Sequence, residues 1–304
     1  MTDVSVTRYA VIGHPVAHSR SPWIHARFAE QTGQAIAYEA IDCPPDGFAT
    51  TLQRLQKARY GGCNVTVPFK HAAFAAASSH TPRAVLAQAA NTLMWRRAEK
   101  GRGLVLHADN TDGPGIVRDI VFNAGFPFGR LHLLLLLGAG GAAAGVLNAL
   151  IAICPTSVTV ANRTLHKAQT LIERHYAWAN MHSVALYTCT LDEALHGQSA
   201  NPDAPAVFDL VINATSSSLA GEPLTFPAEK VGAGGMLYDM MYGAAAQPFL
   251  QSVRRPDVRV RDGLGMLVEQ ASLSFALWRD VRPRTAPVLS ELRTLVDAQT
   301  ASAS

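Results

Sequence analysis

Two short stretches carry side chains whose types and spacing could do chemistry. In the first, Asn64-Val65-Thr66-Val67-Pro68-Phe69-Lys70, a lysine sits just past a run that reads as a strand and a turn. Val65, Thr66 and Val67 favour a strand. Pro68 ends it, because proline has no N–H to give a ladder. A lysine fixed at a strand end, beside a hydroxyl and an amide, can donate or accept a proton in a reaction. Taken alone, Lys70 reads as a surface lysine after a turn. The second stretch is Gly138-Ala139-Gly140-Gly141-Ala142-Ala143. It follows the aliphatic run Leu133 to Leu137 and precedes an Ala- and Leu-rich helical stretch, Ala142 to Ile153. Strand, glycine turn and helix form the setting in which backbone can approach a pyrophosphate, with the positive helix N-terminus holding it. The pattern is a variant, with Ala143 at the place of the last glycine.

The next strand, Ser157 to Val160, leads into Ala161-Asn162-Arg163-Thr164, with Lys167 just after. An NAD site usually places Asp or Glu about 20 residues past the glycines, to hold the ribose 2′-hydroxyl. A carboxylate would repel a 2′-phosphate, whereas an arginine accepts it through paired, charge-assisted hydrogen bonds. Residues 162–167 therefore argue for NADP (NADPH) over NAD. The alternative is a helix start capped by Asn162 or Thr164, with ordinary solvated charges.

The elements that must position these residues alternate along the chain. Strands are expected at Arg8–Gly13, Ala37–Asp42, Gly62–Val67, Thr92–Arg96 and Gly103–His107. Helices are expected at Pro22–Gly33, Asp46–Ala58, Lys70–Ala77 and Pro82–Gln88. That is an α/β layer of its own. A long helix beginning at Asp112 leads into the glycine-turn region. Its later strands are expected at Ser183–Tyr187, Leu210–Asn213, Met236–Asp239 and Val258–Arg261. Gly265–Trp278 reads as a long, amphipathic final helix. Gln198 to Ala206 is rich in Pro, Asn and Asp and reads as a loop.

Composition excludes several classes. The 304 residues are 48% hydrophobic and 16% charged, which describes a globular chain with a large core. A net charge of +3 is too small to argue for nucleic acid or an anionic membrane. Residues 131–153 are apolar enough to resemble a membrane span, with Gly141 and Gly145 spaced as a helix-pairing motif. The glycines cluster mid-segment, however, and aromatic belts are missing from the flanks. A buried parallel strand and helix explain the run. Cys43, Cys63, Cys154 and Cys189 lie far apart and read as reduced thiols, so the cytoplasm is the expected compartment. His14, His18 and His25 have metal-like spacing, but Pro15 and Pro22 break the helix it needs, so no metal is expected. The N-x-T sequons at Asn64, Asn162 and Asn213 read as chance matches without a signal peptide.

Taken together, the motifs resemble the shikimate dehydrogenase family, from Tyr9 to Trp278. The matching signatures are Val11-Ile-Gly-His-Pro-Val-Ala-His-Ser19-Arg-Ser21-Pro22, Gly62 to Lys70, Ala90-Asn91-Thr92-Leu93 and Asp109-Asn110-Thr111-Asp112-Gly113. The glycine turn and Asn162-Arg163-Thr164 follow. Then come Asn213-Ala214-Thr215-Ser216, Tyr238-Asp-Met-Met-Tyr242 and Asp262-Gly263-Leu-Gly265-Met266-Leu-Val-Glu-Gln270.

The resemblance implies an N-terminal α/β substrate domain (1–111 and 263–304) and a Rossmann-like, doubly wound NADP-binding domain (112–262), with a C-terminal helix returning to the first. It implies NADPH-dependent, reversible reduction of 3-dehydroshikimate to shikimate in aromatic amino-acid biosynthesis, by a monomer or homodimer. It makes Lys70 and Asp112 the catalytic pair. Ser19 and Ser21 would hold the substrate carboxylate, with Tyr242 near it. Thr66, Asn91 and Gln270 would bind ring hydroxyls, with Asn64 nearby. Gly138, Ala139, Gly140, Gly141 and Ala142 would carry the cofactor, and Asn162, Arg163, Thr164 and Lys167 its 2′-phosphate. Thr215, Ser216, Met240, Gly263 and Met266 complete the cofactor set. The chain departs from the family pattern at Ala26, Ala108 and Ser218, the last where a glycine is common. An NAD-dependent quinate/shikimate dehydrogenase is the nearest alternative, and Arg163 argues against it. A non-catalytic NADP-binding relative would be expected to lose Lys70 or Asp112, and both are present.

Overall fold

The computed structural model describes residues 6–98, 103–127, 129, 131–153, 155–197, 203–215, 217, 222 and 224–302. The first elements in chain order are β1 (Thr7–Gly13), α1 (Ser21–Thr32), β2 (Ile36–Asp42), α2 (Phe48–Lys57), β3 (Gly62–Val65) and α3 (Lys70–Ala76). Next come β4 (Ser79–His80), α4 (Pro82–Ala87), β5 (Thr92–Arg97), β6 (Leu104–Asp109) and α5 (Asp112–Arg118). They are followed by β7 (Leu133–Leu137), α6 (Gly141–Ala152), β8 (Ser157–Asn162), α7 (Leu165–Glu173), α8 (Tyr176–Met181) and β9 (Ala185–Thr190). The last are α9 (Leu191–Leu195), β10 (Phe208–Asn213), β11 (Val231–Asp239), α10 (Gln247–Leu250), β12 (Arg259–Asp262), α11 (Leu264–Arg279) and α12 (Thr285–Ser302).

The chain forms two contact-dense units, Met1–Gly115 with Leu267–Leu292 and Ile116–Met266 with Arg293–Ser304. The first unit holds a mixed sheet in the order β2-β1-β3-β5-β6-β4. Here β1 runs parallel to β2 and β3, while β5 is antiparallel to β3 and β6. Ala10, Ile12, Leu52, Leu55, Cys63 and Leu93 belong to the core on one face. Helix α1 starts with proline in its first turn, where a missing N–H costs nothing. It stops at Gly33, whose left-handed φ of 65° suits glycine.

The second unit is an all-parallel sheet in the order β12-β11-β10-β7-β8-β9. Leu134 to Leu137 are fully buried on β7, its inner strand, which is why that run is apolar without alternation. The strand order reverses at β7, which is flanked by β10 and β8. Open parallel sheets bind ligands at such a reversal, beyond the strand carboxyl ends.

Several elements differ from expectation. Strand β3 ends at Val65, and the Val67 carbonyl accepts from the His14 N–H at 3.0 Å instead of extending a ladder. The long helix expected from Asp112 stops at Arg118 and passes into a π turn, Asp119–Asn123. Helix α11 has no exposed residue, and its half-buried positions, such as Leu267, Leu273 and Leu277, are mostly apolar, so it lacks the polar face of an amphipathic helix. It is not the final helix, because α12 follows it. The expected division at 112 and 263 also differs from the contact-dense units, which give 112–115 to the first and 263–266 and 293–304 to the second. Arg293 explains part of this, since it grips Asp262 at 2.8 and 2.5 Å. Gly243, at φ +62°, lies against Val296.

Asp119 is fully buried and accepts from Arg261 at 2.8 and 2.5 Å, Tyr238 at 2.9 Å and Asn123 at 3.0 Å. A Cβ on Gly265 would stand 1.7 Å from Asp119 Oδ1. Those bonds leave the carboxylate no room to give way. Gly265→Ala is therefore expected to lower stability by at least about 2 kcal/mol, read as a lower urea midpoint. An unchanged midpoint would show that the network yields.

Candidate active site

The first unit builds its site from a buried acidic turn. Asp109 is 1% exposed, and Arg83 holds it through two hydrogen bonds of 2.7 Å. The Thr81 hydroxyl adds a third at 2.7 Å, and Asp109 Oδ1 also accepts the Asn110 N–H at 2.6 Å. Asn110 Oδ1 then accepts the Asp112 N–H at 3.1 Å. This side-chain-to-backbone bond opens α5 and places Asp112 in its first turn, where a carboxylate suits the helix dipole.

Lys70 is the first residue of α3 and donates from Nζ to Asp112 Oδ2 at 2.5 Å. Their side chains are only 12% and 6% exposed, so the pair stands largely out of water. The other oxygen, Asp112 Oδ1, accepts from Asn91 Nδ2 at 2.8 Å. The same amide nitrogen faces Thr111 Oγ1 at 2.9 Å and Gln270 Oε1 at 3.1 Å. Gly115 lets α5 approach α11 here, since a Cβ on it would lie 2.8 Å from that of Gln270.

Asn64 extends this polar seam. Its Oδ1 accepts from the Tyr38 hydroxyl at 2.8 Å. Its Nδ2 faces the Asn91 carbonyl at 3.1 Å, Thr92 Oγ1 at 3.2 Å and Ser274 Oγ at 2.9 Å. The Ser21 N–H donates to Ser19 Oγ at 3.3 Å. His25, fully buried, stacks on Tyr38 with ring centroids 4.2 Å apart. Burial pushes its pKa down to about 3, so the ring is neutral. Hydrogen bonds thus join Asn64, Asn91, Gln270, Asp112 and Lys70, and a separate one joins Ser21 to Ser19. Thr66 stands past the end of β3, packed on Gly13, and no side-chain hydrogen bond among the described residues joins it to the seam. Tyr38, Thr92, Thr111 and Ser274 were not anticipated. Only Asn110 carried a local signal, the Asx-turn character of Asp-Asn-Thr-Asp. No group of His, Cys, Asp and Glu among the described residues could hold a metal.

The second unit carries the glycine turn at the carboxyl end of β7. Gly138 has φ +107°, a conformation that suits only glycine, and a Cβ there would lie 3.2 Å from the Ala214 carbonyl. Ala139 and Gly140 follow, and Gly140 opens α6 with no side-chain cap. A Cβ on Gly140 would meet nothing within 4 Å. The first turn of α6, with Gly141 and Ala142, contains no acidic residue. Its free N–H groups are a ready anion site. At the end of β8, Asn162 donates to the Thr164 carbonyl at 2.9 Å. Arg163, Thr164 and Lys167 are exposed, and no ion pair among the described residues uses Arg163 or Lys167.

Thr215 is held by Asn213 at the end of β10, and the Met240 N–H donates to the Asn213 carbonyl at 3.0 Å. Gly263 packs on Met240, where a Cβ would lie 2.3 Å from the carbonyl oxygen. Met266 is buried, and Tyr242 precedes the turn Gly243–Ala245. Ser216, Ser218, Cys154 and residues 198–202 lie outside the described residues.

Comparison with known proteins shows which family the chain belongs to. A family model described as the shikimate dehydrogenase substrate binding domain matches residues 11–93. One described as shikimate / quinate 5-dehydrogenase matches 128–220, and the shikimate 5′-dehydrogenase C-terminal domain matches 263–293. A protein named shikimate dehydrogenase (NADP(+)) from Methylibium petroleiphilum is 50% identical over 298 residues, covering 95% of each chain. The one from Acidovorax sp. (strain JS42) is 49% identical over 290 residues, covering 95% of this chain and 97% of its own. The chain belongs to the shikimate dehydrogenase family. A crystal structure of shikimate 5-dehydrogenase from Thermus thermophilus, in complex with NADP(H) and shikimate, superposes with a TM-score of 0.76. It is 31% identical and covers 95% of this chain and 99% of its own. This match agrees with the expected fold class, an α/β substrate domain with a Rossmann-like domain, though the first sheet is mixed. No described helix is long and apolar enough to cross a membrane.

Asp239, at the end of β11, has no cation partner among the described residues. Burial pushes its pKa up to about 6, and nearby Asp262 adds to the rise. The Met241 N–H and the Asn213 amide pull the other way. A folded-state pKa above the unfolded value gives stability that is present below about pH 4 and is lost as pH rises through 6. The stability of the wild type minus that of Asp239→Asn should therefore fall by about 2–3 kcal/mol between pH 4 and pH 7. Urea unfolding of both proteins across that range checks this, and a pH-independent difference would rule it out.

Proposed function

We propose that this chain is an NADP-dependent shikimate dehydrogenase, catalysing the reversible reduction of 3-dehydroshikimate to shikimate in aromatic amino-acid biosynthesis. The observation that carries the reading is Lys70 Nζ at 2.5 Å from Asp112, at one end of a seam of neutral hydroxyls and amides. That seam suits a substrate with several hydroxyls. The relatives of that name, at 49 and 50% identity, support the same substrate.

The second unit fits NADP. An uncapped helix start with space beside Gly140 suits a pyrophosphate. Exposed Arg163 and Lys167, with no acidic residue from 162 to 167, suit a 2′-phosphate. When bound, the nicotinamide supplies or takes up the hydride at the substrate carbon.

The chain's own residues handle the proton and the orientation. In reduction, Lys70 as an ammonium gives a proton to the oxygen that becomes the hydroxyl. In oxidation, Lys70 as a free amine takes that proton back. Asp112 holds Nζ in place. Ser19 and Ser21 donate to the substrate carboxylate. Thr66, Asn91 and Gln270 bind ring hydroxyls, and Asn64 fixes the floor of the seam. Met240, Gly263 and Met266 line the cofactor side. The described cysteines are free and buried, which supports a reducing compartment, the cytoplasm.

Initial rates with shikimate or quinate, each with NADP or NAD, test the reading. Highest kcat/KM with shikimate and NADP is expected. Preference for quinate with NAD would replace this function with that of the sister enzymes. Lys70→Ala should lower kcat by about 10²–10⁴-fold while NADPH affinity, by fluorescence titration, stays within about twofold. Loss of NADPH affinity would remove Lys70 from the proton-transfer role.

A further inference from the structure

The carboxyl ends of β10 and β11 carry a chain of hydrogen bonds that all run one way. The Ser217 hydroxyl donates to Thr215 Oγ1 at 2.8 Å. The Thr215 hydroxyl and N–H donate to Asn213 Oδ1 at 2.7 and 3.0 Å. Asn213 Nδ2 donates to Asp239 Oδ2 at 3.2 Å, and Asp239 Oδ1 accepts the Met241 N–H at 2.9 Å. Asp239 and Asn213 are both buried.

An ionised carboxylate can only accept. Asp239 therefore requires Asn213 to turn its NH₂ toward β11 and its oxygen toward Thr215. A reversed Asn213 amide would set NH₂ against the Thr215 N–H, donor against donor. Because the chain ends on an acceptor, the Thr215 and Ser217 protons are committed inward, and both hydroxyl oxygens keep lone pairs to offer. These groups border the glycine turn. The Ala214 N–H donates to the Leu137 carbonyl at 2.8 Å, and the Ala214 carbonyl lies against Gly138.

We propose that Asp239 is a positioning residue for the cofactor, setting through Asn213 the direction in which Thr215 and Ser217 present acceptors to a hydroxyl or amide N–H of the ligand. The proposal rests on the NADP reading above.

Asp239→Asn tests it. With its oxygen on the Met241 N–H, the new amide turns an NH₂ toward the Asn213 NH₂, so the bond that fixes Asn213 is lost and two donors are set against each other. In the full-length chain, the NADPH dissociation constant should rise about tenfold, as for one lost hydrogen bond. The rate constant at saturating NADPH should fall less than about threefold, with the KM for shikimate unchanged, since the chemistry is not touched. Asn213→Ala leaves the Asp239–Met241 bond in place and should weaken NADPH to the same degree. The double variant should be no weaker than either single one, because both break the same chain. Wild-type NADPH affinity in Asp239→Asn, or losses that multiply in the double variant, would overturn the proposal. If Asp239→Asn does not fold, unchanged affinity in Asn213→Ala overturns it instead. A wild-type chain that fails to bind NADPH would overturn the cofactor reading itself, a result distinct from the others.

Discussion

The first unit depends on holding the Asp112 carboxylate paired and still while it is nearly out of water. A buried charge is costly unless paired and hydrogen-bonded. Lys70 supplies the counter-charge, Asn91 fills the second oxygen and the Asn110 side chain fixes the backbone below it. Arg83 then neutralises Asp109, which holds Asn110. Each layer removes the cost that the previous one creates. The seam running on through Asn64 to Tyr38 uses only uncharged groups.

The second unit solves a different problem, close approach of backbone. The ends of its strands are shaped by places where a side chain has no room. Gly138 lets the β7 turn meet Ala214, and Gly263 lets the end of β12 meet Met240. Gly265 lets α11 begin against Asp119. Two of the three close contacts are made to backbone, which cannot move aside as a flexible side chain can. The third is made to a carboxylate fixed by Arg261 and Tyr238. Helix α6 then starts with bare N–H groups at the sheet's reversal point.

Local features were legible in the sequence, and features made by distant partners were not. The β7–turn–α6 unit could be read directly, because an aliphatic run, three glycines and an Ala-rich stretch fix it within twenty residues. The strand leading into Asn162 was legible for the same reason. The Lys70–Asp112 pair joins residues 42 apart and came only from the ordered motifs. Tyr38 and Ser274 were missed, since nothing near either shows that it will reach Asn64. Helix α11 misled because a helix with no exposed residue keeps no polar stripe, and a few polar residues such as Ser272 and Ser274 imitate one. The antiparallel turn of β5 against β3 leaves no mark in periodicity either.

The Asn91 amide carries two protons, yet three oxygens stand within 3.1 Å of it: Thr111 Oγ1, Asp112 Oδ1 and Gln270 Oε1. Thr111 Oγ1 is itself a hydroxyl, and its own proton reaches Asn91 Oδ1 at 3.2 Å or Gln270 Oε1 at 3.4 Å. The two amide protons and that hydroxyl proton can therefore serve all three oxygens. Turning the Thr111 hydroxyl alone moves a proton between the two amide oxygens, so the seam can change which of them it leaves as an acceptor with no side chain displaced.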